Sequence, residues 1–70
     1  MLKEASARLR HLRKGNGLTL REAAAELGVS EAWLSRIERG HMDSISVDFA
    51  MRVKERFGIP VEMWSTKVAA

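Results

Sequence analysis

The chain has 70 residues, of which 46% are apolar and 30% charged, with one proline and no cysteine. That balance is too hydrophobic for a disordered chain and too charged for a membrane-embedded one, and the length suits one core, so a single domain over residues 1–70 is expected. The lack of cysteine excludes disulfide staples, Cys-type zinc sites and thiol catalysis, while the lack of a ~20-residue apolar run or a secretory h-region points to a cytoplasmic protein.

The net charge of +3 comes from 12 Lys and Arg against 9 Asp and Glu, and it is unevenly placed. Residues 1–39 carry eight cations (Lys3, Arg8, Arg10, Arg13, Lys14, Arg21, Arg36 and Arg39) against five acids, whereas residues 40–70 carry four of each sign. A basic half on so small a chain suits a polyanionic partner, although ordinary surface charge explains an excess of three equally well.

Glycines 15, 17, 28, 40 and 58 cut the chain into pieces of helical length, and no piece alternates with period two, which predicts an all-α fold of five helices. The first runs from about Lys3 to Lys14, with Ala5, Leu9 and Leu12 on one face and Gly15-Asn16-Gly17 as its stop. The second spans Leu20 to Leu27 behind a Thr19/Glu22 capping box, with a small Ala23-Ala24-Ala25 centre that lets a neighbour approach, and ends at Gly28. A third follows within three residues. Ser30 is its N-cap, Val29 and Leu34 are spaced as a hydrophobic staple, and Gly40 closes it. A loop over residues 41–45 leads to a fourth helix, Val47 to Phe57, capped by Ser46, whose expected buried stripe is Val47, Ala50, Val53 and Phe57. Pro60 suits the start of a short fifth helix, Val61 to about Thr66. The core is then about residues 5–66, and 67–70 are expected to fray. The terminal Val-Ala-Ala, although similar to tails read by some bacterial proteases, reads better as a plain unstructured end.

Two short helices with a glycine corner over about residues 20–39 have the spacing of a DNA-binding helix-turn-helix. The run Thr19-Leu20-Arg21-Glu22-Ala23-Ala24-Ala25-Glu26-Leu27-Gly28-Val29-Ser30 resembles the Xre-type, lambda-repressor-like family. So do Trp33-Leu34-Ser35-Arg36-Ile37-Glu38-Arg39-Gly40, the first-helix residues Leu9, Leu12 and Arg13, and Phe57-Gly58-Ile59 after the fourth helix. The resemblance covers about residues 5–64 and implies a compact five-helix DNA-binding domain of bacterial or phage type. It implies that Glu31–Arg39 is the recognition helix, with Glu31, Ala32, Ser35 and Arg36 toward base edges. Arg8, Arg10, Thr19, Arg21, Trp33 and Arg39 are the implied phosphate contacts, and Arg13 with Glu38 an implied structural ion pair. For Trp33, filling an edge of the core competes with backbone contact; for Arg8 and Arg10, a plain solvated face does. The chain departs from the family at Leu20, where Gln is frequent, and at Lys54, where a small buried residue is usual and where the stem is expected to be buried.

Other chemistry finds no foothold in the sequence. His11 and His41 lie far apart with no Cys, so no metal is expected; the serines fit no nucleophile elbow and no glycine-rich loop cradles phosphate. Neither a cofactor nor a small-molecule ligand is indicated, and an enzyme is not expected. The expected function is a transcriptional regulator, a repressor, binding duplex DNA as a homodimer on a pseudo-palindromic operator. The alternative is a protein-interaction module on the same fold, such as an antitoxin or adaptor. Met42, Ile45, Met63 and Trp64 are the candidate dimer or partner surface; for the last two, dimer contact is preferred over packing back on the domain.

Overall fold

The computed structural model of the chain describes residues 3–41 and 45–69. Met42, one of the four residues of the expected partner surface, lies outside them. The elements in chain order are α1 (Lys3–Gly15), α2 (Leu20–Leu27), α3 (Glu31–Glu38), β1 (Ile45–Ser46), α4 (Val47–Phe57), a 3₁₀ helix (Val61–Lys67) and β2 (Val68–Ala69).

Three helices start on a hydroxyl that accepts a backbone N–H three residues on: Thr19 from Glu22, Ser30 from Trp33 and Ser46 from Phe49. Each cap replaces a hydrogen bond that the first turn of a helix cannot make for itself. At the other end, α1, α2 and α3 close alike, with two N–H groups folded back onto carbonyls of the last turn. In α2 these are Gly28 N–H to Ala25 O at 3.3 Å and Val29 N–H to Ala24 O at 3.0 Å. The closure requires a left-handed residue, and Gly28 supplies it at φ +73°.

The core draws on the four α-helices, β1 and the 3₁₀ helix. Ala5 and Leu9 come from α1, Ala23, Ala24 and Leu27 from α2, Leu34 and Ile37 from α3, and Phe49, Ala50 and Val53 from α4, with Ile45, Ile59 and Trp64 completing it. Phe49 is its hub. Trp33 meets it edge-on with centroids 4.9 Å apart, and Trp64 meets it at 6.0 Å. Such edge-to-face pairs set the positive ring edge on the negative ring face.

Four expectations are corrected. The fifth helix is a 3₁₀ helix, not an α-helix, so the described residues form four α-helices; it opens with Met63 N–H on Pro60 O at 3.0 Å, the three-residue spacing that suits a short connecting piece. Residues 68–69, expected as part of an unstructured end, form β2, which pairs in parallel with β1, Ile45 opposite Val68 and Ser46 opposite Ala69. The buried stripe of α4 is rotated: Val47, at the first helical position, is 36% exposed, and Phe49 is buried in its place. Lys54 is exposed, and Ala50 is the small residue that α4 buries.

Candidate nucleic-acid interface

The eight residues of α3 divide cleanly. Leu34 and Ile37 point into the core, while Glu31, Ala32 and Arg36 are exposed and Ser35 is half-buried beside them. At 100° per residue, positions 31, 32, 35, 36 and 39 share one outward face of the helix. The structure therefore brings all four expected base-contacting residues onto one surface, with Arg39 at its end.

Arg13 and Glu38 anchor that helix. Arg13 Nε donates to Glu38 Oε2 at 2.7 Å and Nη2 to Oε1 at 3.1 Å, a two-pronged contact between α1 and α3. The remaining Arg13 nitrogen, Nη1, donates to the Leu18 carbonyl at 2.9 Å and so also fixes the approach to α2. Both side chains are buried, and their charges cancel there.

Above this pair lies an open concavity of about 220 Å³ lined by Arg10, Arg13, Leu20, Ser35, Glu38 and Arg39. Because Arg13 and Glu38 neutralise each other, the field in the concavity is that of Arg10 and Arg39, both exposed. Arg39 Nε donates to Ser35 O at 3.3 Å, which lays its stem along the last turn of α3. Leu20 is half-buried against the core and forms an apolar wall of the concavity where the family often carries Gln. It opens α2 and so stands at the positive end of that helix.

Thr19 is committed as a cap. Its Oγ1 accepts from Glu22 N–H at 3.1 Å, and Glu22 Oε1 accepts from Thr19 N–H at 2.8 Å. These contacts, the Thr19 backbone first and its hydroxyl second, hold the Glu22 carboxyl below its ordinary value of 4.5.

The other expected phosphate contacts are more scattered. Arg21 is exposed on α2. Arg8 is exposed too, but two residues along a helix turn it some 200° from Arg10, so only Arg10 reaches the concavity. Trp33 is half-buried with its ring against Phe49, which leaves a limited edge outward. Ile45 and Trp64 do not form a partner surface: they are 2% and 0% exposed, Ile45 on the inward side of β1 and Trp64 against Phe49. Met63 is half-buried. Among the described residues the large apolar side chains that are exposed are Val47 and Met51, both on α4.

Two arginines to which the sequence assigned nothing also touch the helix-turn-helix. Arg52 Nη1 donates to Leu27 O at 3.1 Å, and Arg56 Nε pairs with Glu26 Oε1. The signal for them is the last turn of α2, which has no basic residue, whereas those of α1, α3 and α4 do. Among the described residues no group of His, Asp and Glu has the arrangement of a metal site, and no helix is long and apolar enough to cross a membrane.

Comparison with known proteins agrees with this geometry. A family model described as a helix-turn-helix domain matches residues 4–62. A solved structure of a SinR protein/SinI protein complex contains a chain with the same fold, at a TM-score of 0.73 and 28% identity. The match covers 96% of the present chain and 62% of that one, so the present chain spans less than two thirds of its length. No curated protein matches the sequence.

Proposed function

This chain belongs to the helix-turn-helix domain family, and from that premise we propose that it is a sequence-specific regulator of transcription that binds duplex DNA, acting as a repressor through a single domain. The observation that carries the reading is the outward face of α3. It presents Glu31, Ala32, Ser35 and Arg36 opposite the buried Leu34 and Ile37, beside a concavity whose unneutralised charges are Arg10 and Arg39.

The helix α3 enters the major groove. Arg36 donates two parallel hydrogen bonds to a guanine edge, Glu31 accepts from cytosine N4, Ala32 meets a thymine methyl and Ser35 bonds either kind of base. Arg10, Arg39, Arg8, Arg21, the Thr19 hydroxyl, the Trp33 edge and the first amides of α2 hold the sugar-phosphate backbone, which fixes register and supplies the salt-dependent part of the affinity. The Cα trace is 29 Å along its longest axis, shorter than the ~34 Å between successive major grooves on one face of the duplex. One copy therefore reads one half-site, and a pseudo-palindromic operator takes two. Repression follows where that operator overlaps a promoter.

Selection from a random duplex library, followed by titration of the enriched sequence against its scrambled form, tests this. An enriched half-site with a steep salt dependence is expected, and Arg36→Ala should lose about 1–3 kcal/mol of discrimination while keeping its fold. An unenriched library would overturn the DNA reading, and unchanged discrimination in the variant would overturn the role of Arg36.

A second reading, a protein-docking module on the same fold, draws on Val47 and Met51, exposed one helical turn apart on α4. Under it, Met51→Asp breaks a protein complex and leaves DNA binding as it was.

A further inference from the structure

We propose that Arg52 of α4 is a positioning residue that fixes the corner between α2 and α3 and so sets the direction in which α3 is presented. This rests on the DNA reading above only for its consequence; the clamp itself stands on the geometry of the corner.

The last carbonyls of a helix have no partner within it. In α2 the closure of the turn uses two of them, Ala24 O and Ala25 O, for the N–H groups of Val29 and Gly28. Leu27 O, at the corner itself, is taken by Arg52 Nη1 at 3.1 Å. A helix C-terminus is also the negative end of its dipole, and a cation there is favourable. The other three α-helices carry a basic residue in their own last turn and α2 carries none. Its cations arrive from α4, 25 and 30 residues away in the chain: Arg52 on Leu27 O, and Arg56 on the Glu26 carboxylate with its guanidinium 4.9 Å from the Phe57 ring centre.

Gly28 is the second half of the device. A Cβ at that position would lie 3.0 Å from Arg52 Nη1. The guanidinium therefore rests close over the backbone of the turn, and a Cβ there would press it back by a few tenths of an ångström. The left-handed φ of Gly28 is the demand of the turn, and its lack of a Cβ leaves room for the Arg52 guanidinium to sit close. Since α3 begins only three residues on, a small change at this corner swings the whole outward face of α3.

The test compares the wild type with Arg52→Ala and Arg52→Lys by two measurements. The first is amide hydrogen exchange at Gly28 and Val29. In Arg52→Ala these amides should exchange about tenfold faster, the order expected for losing one charge-assisted hydrogen bond, while Gly17 and Leu18 at the end of α1 keep their rates. Arg52→Lys, which keeps the charge, should recover most of the protection. The second is the affinity ratio between the selected duplex and its scrambled form. It should fall about tenfold in Arg52→Ala, with the scrambled-duplex affinity and its salt slope unchanged.

Unaltered exchange at Gly28 and Val29 overturns the clamp. A rise in exchange throughout the chain, or equal weakening on both duplexes, overturns positioning and leaves Arg52 a general stabiliser. If the wild type itself shows no duplex preference, the DNA reading fails, while the exchange measurement still decides the clamp.

Discussion

Arg13 spends all three of its guanidinium nitrogens inside the protein, two on Glu38 and one on the Leu18 carbonyl. Removing either member of a buried pair leaves the other charge without a partner, so Arg13→Ala and Glu38→Ala should each destabilise by about 3–5 kcal/mol. The double replacement Arg13→Met with Glu38→Leu should recover most of that loss, because it removes both charges and keeps the volume. Urea unfolding of the four proteins measures this, and an additive double variant would contradict it. The pairing of these two residues was legible only through the family resemblance, since a 25-residue separation in sequence carries no local sign of contact. The outward placement of Glu31, Ala32, Ser35 and Arg36 was likewise legible through the family resemblance, and helical spacing is consistent with it. Ile45 and Trp64 were misread because an apolar residue in a loop or on a short late helix looks alike in sequence whether it faces solvent or a core.

Helix boundaries depend on short-range chemistry, and here the capping residues Thr19, Ser30 and Ser46 were all evident from the sequence. The capping box at Thr19 has a measurable acid dependence. Glu22 has its pKa lowered in the folded protein, so its contribution is present above its ordinary value near 4.5 and is lost as pH falls through the lowered one. The melting temperature of the wild type should therefore drop more steeply below about pH 4.5 than that of Glu22→Gln, which keeps the box without the charge. Parallel curves for the two proteins would refute it. Elements that depend on distant partners were not legible. The two-residue pairing of β1 with β2 joins segments 23 positions apart in register, and neither segment has a strand pattern long enough to announce itself. The rotation of the α4 stripe has a similar cause. Val47 and Phe49 are both apolar, and it is the pair of tryptophans from α3 and the 3₁₀ helix that selects Phe49 for the core. Phe49→Ala should cost about 3–5 kcal/mol in the same unfolding measurement, against a far smaller loss for Val47→Ala.

At the scale of the whole molecule, the charge excess of the first half of the sequence resolves into places. Arg13 is consumed by Glu38, and Arg10 and Arg39 converge on one concavity. Arg10→Ala should weaken selected and scrambled duplexes alike and flatten the slope of log affinity against log salt by about 0.9, the value for one lost phosphate contact. A change confined to the selected duplex would instead make Arg10 a reader of sequence. The cluster of Trp33, Phe49 and Trp64 has a spectroscopic consequence. Both tryptophans of the chain sit against the same phenyl ring, yet Trp64 is sealed inside and Trp33 is half-open on the helix that carries the candidate base contacts. Iodide will quench the emission of Trp33 and leave that of Trp64, so one unlabelled sample reports groove occupancy and core integrity as two separable fluorescence signals.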